Sequence, residues 1–223
     1  MRLEKASYKA IVYSCMNFHY AKSVPVNVFG YSVFNDKNEW CGVVLYGSGA
    51  SANIGKPYGL GQGEVIELVR MALNGKQGIT TKVMALSMKL IKKDAPLCKM
   101  LISYADKWQG HCGIIYQATN WFFIGNSQAQ ANVIDPITGQ ELHKRSAVGK
   151  YGSCKGLKYG EIKYKYKYIY PLDKSIIPLC KSLAKPYPKK NAQEVNQDKR
   201  NASSIETGGS NPTLALNLNT IKP

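Results

Sequence analysis

The chain has 223 residues and a mass of 24.7 kDa, with 30 Lys and Arg against 14 Asp and Glu, a formal net charge of +16. That length supports one sizeable core and excludes two large domains, while no run approaches the roughly 18 apolar residues of a membrane-spanning helix. The N-terminal MRLEKASYKA lacks an apolar stretch of leader length, so a cytoplasmic protein with no membrane partner is expected.

The ordered body is expected over residues 5–184. Near its start, SCMNFHYAKSVP (14–25) follows neither a helical nor a strand period and reads as a loop. YSVFNDKNEWCGVVLYG (31–47) places two apolar and aromatic runs around Asn35, Asp36, Lys37 and Asn38, a hairpin signal. EVIELVRMAL (64–73) reads as a buried strand, NGKQGITT (74–81) as a polar loop and KVMALSMKLIKK (82–93) as a helix. That helix has Val83, Leu86 and Leu90 at helical spacing and is ended by Asp94-Ala95-Pro96. CKMLISYAD (98–106) is a second apolar strand, GIIYQATNW (113–121) a short helix and FFIG the start of another strand. The alternation makes an α/β arrangement in which the 82–93 helix crosses over between parallel neighbours. KYGEIKYKYKYIYPLD (158–173) alternates Lys with Tyr, so one strand face carries lysines and the other tyrosines. From Lys185 to the end the composition is polar, with Lys, Asn, Ser, Gly and Pro, and reads as a disordered tail. No internal repeat is seen.

Several of these positions carry chemistry. The positive excess favours polyanions, nucleic acid first and an anionic membrane surface second, unless it serves solubility alone. Cys15, Cys41, Cys98, Cys112, Cys154 and Cys180 form no CxxC pair and have no His at finger spacing, which argues for reduced thiols, several in the core. The 74–81 loop joins a strand end to a helix start, where unpaired N–H groups favour an anion. Its Asn74, Gly75, Gly78, Thr80 and Thr81 make either an ordinary connection or a turn similar to the pyrophosphate turn of GNAT acyltransferases, whose QxxGxG/A signature it matches imperfectly. His19 and Tyr20 are a packing pair or a free imidazole on a loop. Asp106, at a strand's carboxyl end, either binds or caps the next turn, and Tyr116 follows on the short helix. His111 is expected to shape the GHCG turn and His143 to be exposed. If His19, Tyr20, Asp106 and Tyr116 converge, they supply nitrogen and oxygen donors suited to non-haem iron. Tyr164, Tyr166, Tyr168 and Tyr170 pack or stack on bases, while Lys163, Lys165 and Lys167, with Lys144, Arg145 and Arg70, are cationic candidates for a phosphate backbone.

NFHYAKSVP (17–25), IELVRMALN (66–74), SYADKWQGHCGIIYQATNWFFIG (103–125) and ELHKRSAVGKYGS (141–153) resemble the Mom family of phage and prophage DNA-modification proteins, in consistent order over residues 10–172. The resemblance implies a GNAT-like fold with a mixed, mostly antiparallel central sheet flanked by helices. It implies conversion of adenine in double-stranded DNA to N6-carbamoylmethyladenine, in the bacterial host cytoplasm, as protection against restriction. It also implies Fe(2+), with His19, Tyr20, Asp106 and Tyr116 as ligand or catalytic candidates, Arg70 as a functional arginine, and acetyl-CoA or another acyl compound as the conceivable donor. Trp108, Trp121, Phe122 and Phe123 would then pack around the pocket. Glu67 stands where GNAT enzymes often place a base, with a structural role as the competing reading. The rivals are an acetyl-CoA-dependent N-acetyltransferase and a non-catalytic DNA-binding protein of GNAT-like fold. The oligomeric state, homodimer or otherwise, is left open.

Overall fold

A computed structural model describes residues 1–49, 51 and 53–189. Along it run β1 (Arg2–Lys5), α1 (Tyr8–Phe18), β2 (Val28–Phe34), β3 (Trp40–Gly47), β4 (Val65–Leu73), α2 (Thr80–Asp94), β5 (Met100–Ala105), α3 (Ile114–Ala118), β6 (Phe122–Asn126), β7 (Gln130–Ile134), β8 (Glu141–Leu142), α4 (Lys144–Tyr151), β9 (Tyr159–Lys163), β10 (Tyr166–Pro171) and α5 (Ile177–Leu183). A large sheet has the order β1-β2-β3-β4-β5-β10-β6, and a small one has the order β8-β7-β9. Within the large sheet only β4 and β5 pair in parallel among the described residues, with α2 as the crossover between them. This is the mixed, mostly antiparallel sheet flanked by helices that the sequence implies.

Local chemistry accounts for the elements near the site. Ser7 caps α1 by accepting from the Ala10 N–H, and Ile11, Ser14 and Cys15 form its buried stripe. The β2–β3 hairpin turns on Asn35, whose Oδ1 accepts from the N–H groups of Lys37 and Glu39. α2 begins at Thr80, two residues before the expected start, so Thr80 and Thr81 belong to its first turn and the loop proper is shorter. Its buried stripe is Val83, Met84, Ser87, Met88 and Ile91. These side chains pack with Val44, Tyr46, Ile66, Leu68 and Leu101 on one face of the large sheet. Each fully buried aliphatic side chain of this kind contributes about 1.5–3 kcal/mol. Val43, Leu45 and Ala72, of opposite alternation, meet Ile11 and Cys15 of α1. Val65, Met100, Ile102 and Ile169 gather with Tyr58, Ile176 and Cys180.

Two departures from regularity open the centre of the sheet. β4 and β5 are in register only at Val65–Met100, Ile66–Leu101 and Glu67–Ile102; farther on, β4 stays with β3 and β5 with β10. In addition, Leu45 pairs with Arg70 and Tyr46 with Leu68, so Val69 is an extra residue in β4. Such a bulge bends the strand and shifts its alternation. Strict alternation would put Arg70 on the α2 side with Leu68; the bulge moves it to the α1 side with Leu45. Where the strands part, the Leu68 carbonyl accepts from the Ser103 hydroxyl at 2.7 Å, and Ser103 Oγ lies 2.7 Å from the Tyr116 hydroxyl.

The 158–173 segment corrects the single-strand expectation. It divides into β9 of the small sheet and β10 of the large one. On β10, Tyr166, Tyr168 and Tyr170 face the α2-side core, so these three rings pack instead of stacking on bases. Lys167 lies half-buried on the opposite face, its ammonium 5.1 Å from the centre of the Tyr58 ring. Burial lowers its pKa, and this placement removes it from the expected row of phosphate contacts.

The body also runs past residue 184. The Lys185 N–H donates to Phe123 O and the Tyr187 hydroxyl to Trp121 O, both at 2.8 Å, within a unit spanning Met1–Tyr187. Of the expected tail, residues 190–223 lie outside the described residues. Five cysteines are buried and Cys154 is half-buried, all as free thiols. No described helix is long and apolar enough to cross a membrane.

Ser103→Ala strands the Leu68 carbonyl and removes the partner of Tyr116. A loss of about 1–3 kcal/mol in unfolding free energy is expected for such orphaned buried groups, read from urea denaturation, and an unshifted midpoint would show that the bridge is immaterial.

Candidate active site

The carboxyl ends of β4 and β5 point to the same edge because the strands are parallel, and four expected residues meet there. His19 ends α1 as its C-cap, and the Tyr20 ring lies against it, tilted by 31° with centroids 4.3 Å apart. The Tyr20 hydroxyl reaches Asp106 Oδ2 at 3.5 Å, a loose contact in the free protein. Arg70, brought round by the bulge, donates from Nη1 to the Ser23 carbonyl, and its buried Nε has no hydrogen-bond partner among the described residues.

Asp106 serves its expected role as a cap and also faces the cluster. Oδ1 accepts from the Trp108 N–H, capping the 3₁₀ turn Lys107–Gln109. Oδ2 faces Tyr20 and the Lys165 ammonium, the latter at 3.7 Å. Lys165, expected on the DNA-facing surface, therefore sits beside Asp106 in the candidate site.

His111 is more than a turn former. Its ring lies edge-on to Tyr20 with centroids 6.0 Å apart. The turn that presents it is pinned from behind, because Cys112 O accepts from the Tyr168 hydroxyl and from Gln117 Nε2. Gly113 has φ +79°, and a Cβ there would stand 2.4 Å from the Tyr168 ring. Only glycine suits that position.

Electrostatics sort these groups. Burial, then the positive charge of Arg70, lowers the His19 pKa to about 4, with smaller contributions from His111, Lys165 and Lys22. Its imidazole is therefore neutral throughout the physiological range, and its one lone pair, on Nδ1, accepts from the Ala21 N–H, which leaves the proton on Nε2. Burial and the Asp106 carboxylate raise the Tyr20 pKa, against the pull of Arg70.

Tyr116 sits behind the other four. It is held by Ser103, stacks on Tyr168 at 5.0 Å, and is pushed by burial to about 12. It joins the cluster at the level of electrostatics, within reach of Tyr20 and Glu67. Of the aromatics expected around the pocket, Trp121 packs 5.2 Å from Tyr116 and Phe123 lies 5.4 Å from Tyr168. Phe122 packs instead with the α5-side cluster, and Trp108 remains 49% exposed at the mouth.

As arranged, these donors do not make a ferrous site. No group of three or more His, Cys, Asp or Glu side chains that could hold a metal ion gathers among the described residues. Of the expected set, Asp106 is engaged by an N–H, a hydroxyl and an ammonium, and Tyr116 is a poorly acidic phenol already bonded to Ser103. The charges of Arg70 and Lys165 further oppose a divalent cation.

The expected cofactor loop is a separate feature beyond the end of β4. Asn74 Oδ1 accepts from the Lys76 N–H, Gly75 and Gly78 take positive φ of 86° and 71°, and Thr80 Oγ1 accepts from Gln77 Nε2. Ile79 gives α2 no side-chain cap, and Thr81 is half-buried in its first turn. Of the cationic candidates, Lys144 and Arg145 open α4 and Lys163 pairs with Glu141 at 2.7 Å. His143, exposed as expected, caps α4.

The model of the Mom protein family matches residues 1–189. The chain belongs to the Mom protein family. No curated protein matches the sequence. Among solved structures, smu.2055 from Streptococcus mutans UA159 is 12% identical, with 78% of this chain and 100% of that one covered at a TM-score of 0.45. Tetrahymena GCN5 is 11% identical over 78% and 99% of the two chains, with a TM-score of 0.40. Arabidopsis thaliana NAA60 in complex with acetyl-CoA is 10% identical over 77% and 98%, with a TM-score of 0.43. For this Mom-family chain, the residues that sequence reasoning missed are His111, Ser103, Tyr168 and the site role of Lys165. A polar Ser inside the apolar run MLISYA, and the His in GHCG, were the available signals.

His19 should titrate near pH 4 when its imidazole protons are followed by NMR, and Arg70→Met should raise that midpoint toward the ordinary value of about 6.5. Because the folded pKa is the lower one, the unfolded chain binds the extra proton first, and stability falls as pH drops from about 6.5 toward 4. His19→Gln should flatten that part of the stability profile.

Proposed function

We propose that this protein modifies adenine in double-stranded DNA, converting it to N6-carbamoylmethyladenine and so shielding phage or prophage DNA from host restriction. The observation that supports the reading is the meeting, in a Mom-family chain, of neutral His19, Tyr20, Arg70 and Asp106 at the mouth of the β4–β5 splay. The exocyclic amine of adenine is paired and stacked in a duplex, so the base has to be extruded, at a cost of a few kcal/mol. Asp106 Oδ2 is an acceptor suited to the extruded amine, and the half-exposed Tyr20 and Trp108 offer rings for the base plane.

The nitrogen lone pair forms the N–CH₂ bond as the bond from that carbon to a leaving group on the donor breaks, the leaving group departing with the electron pair, and the nitrogen then gives up one proton. The acceptor at hand is the Asp106 carboxylate; the neutral His19, whose Nδ1 accepts from the Ala21 N–H, presents its Nε2–H as a donor that can orient the reacting groups. The Arg70 Nε–H, without a partner among the described residues, suits an acceptor oxygen such as that of the carbamoylmethyl amide. The 74–79 loop and the α2 N-terminus favour a donor with phosphate groups, of which an acyl-CoA is one. Plain acyl transfer leaves a carbonyl on the amine and does not make an N–CH₂ bond. The iron implied by the family resemblance enters no step, since the donors do not fit it as they stand.

The test is expression in a bacterial host followed by nucleoside mass spectrometry of digested DNA. A deoxyadenosine heavier by one carbamoylmethyl group is the expected product, and Asp106→Asn and His19→Gln should each lower its yield by about 100-fold or more. Unmodified DNA with acetyl-CoA turnover would assign an N-acetyltransferase, and salt-sensitive DNA binding alone would assign a non-catalytic protein.

A further inference from the structure

We propose that residues 127–165 form a duplex-gripping module whose exposed lysines seat the phosphate backbone beside the Asp106 site. The identity of the polyanion rests on the DNA reading above; the placement of the grip rests on topology and charge.

The excursion departs from β6 after Asn126 and returns at Tyr166 of β10, and those two residues are register partners next to Ala105 of β5. Its neck is closed by Ser127 N–H to Lys165 O at 2.8 Å and Lys165 N–H to Ser127 Oγ at 2.9 Å. The module therefore rises from the same edge that carries the candidate active site. Contacts on the 3₁₀ turn after Asp106 tie the two together: Lys107 Nζ donates to the Tyr164 hydroxyl at 2.8 Å, and Lys163 Nζ stands 5.4 Å from the Trp108 ring.

The module has its own small core and clamp. Val133 and Ala147 are fully buried between the small sheet and α4. Asp135, also buried, accepts from Lys150 Nζ, the Tyr151 hydroxyl and the N–H groups of Ile137 and Thr138. A surface held this way needs little ordering when it meets a partner.

Its charge is one-sided. It carries seven Lys and Arg against three Asp and Glu. Two of those acids, Asp135 and Glu141, are taken up internally by Lys150 and Lys163. Lys144, Lys155 and Lys158 are exposed and have no carboxylate partner among the described residues; Lys144 lies 5.3 Å from the exposed Tyr159 ring, which leaves its charge uncompensated. Uncompensated lysines next to a base-sized aromatic suit a nucleic-acid backbone. A bilayer is disfavoured because the exposed apolar residues Ile137, Val148 and Ile162 sit on three different segments instead of one helix face.

The test is fluorescence anisotropy with a short labelled duplex over a salt series, using the full chain. Lys144→Gln, Lys155→Gln and Lys158→Gln together should weaken binding by about 10-fold or more and lower the log–log salt slope by about three. Lys89→Gln, Lys92→Gln and Lys93→Gln on α2, the same charge change elsewhere, should leave the slope unchanged. If the module triple misfolds, Lys155→Gln with Lys158→Gln in the loop after α4 should lower the slope by about two. Equal effects from both triples, or none from the module triple, overturn the proposal. Module-dependent binding to phosphatidylserine vesicles without duplex binding also overturns it and assigns a membrane. Nucleoside analysis of the same strains separates the two readings. Modification by a module variant that binds as tightly as wild type sinks the grip and keeps the enzyme; a module-dependent salt slope without any modified nucleoside sinks the enzyme and keeps the grip.

Discussion

One backbone carbonyl, that of Leu68, sits where two parallel strands stop pairing, and the site depends on how it is satisfied. A buried acceptor left without a donor costs free energy comparable to a lost hydrogen bond. Closing the strands would remove that cost together with the cleft. Instead the Ser103 side chain supplies the donor from β5 and keeps the backbones apart. The same oxygen meets the Tyr116 hydroxyl, so the residue that props the cleft open also fixes what lies behind it. Tyr168 extends the chain of contacts to Tyr116 by stacking and to the His111 turn by its hydroxyl.

The Val69 bulge does for β4 what Ser103 does for β5. It turns Arg70 to the α1 side, where its charge lies near His19, and the two effects combine. A half-buried imidazole beside a guanidinium resists protonation because its charged form loses solvation and meets a like charge. The candidate site thus gathers a neutral imidazole, one carboxylate and two cations. That balance is suited to removing a proton from an amine and to holding acceptor oxygens.

Most of the large sheet was legible from the sequence, because strands of alternating or fully apolar character and the α2 period carry their own signal. Asp106 was placed correctly because β5 is apolar up to that residue. The alternation that marks 158–173 as one strand was true locally and misleading globally. Period two reports which way side chains point and is silent on which sheet a strand joins, and the Ser127–Lys165 neck that divides it is a contact across 38 positions. Arg70 shows the same limit from the other direction. A single extra residue reverses its face, and no pattern in IELVRMAL marks where the bulge falls. Glycines on either side of His111 explain a turn sufficiently, and nothing local in GHCG signals that its ring meets Tyr20 edge-on.

The two-sheet arrangement also resolves what the lysines are for. Read as one strand, Lys163, Lys165 and Lys167 would be equivalent backbone contacts. In the fold they have three different tasks: Lys163 neutralises Glu141 near Trp108, Lys165 stands on Asp106, and Lys167 is half-buried over Tyr58. Long cationic side chains can spend their charge on a carboxylate, on a ring or on solvent, and only the last leaves it available to a distant polyanion. The net +16 therefore overstates the field felt at any one place, and pairing decides where that field survives. In the insertion it survives on the exposed Lys144, Lys155 and Lys158, and the insertion is rooted by its neck at the strand ends that carry the candidate site.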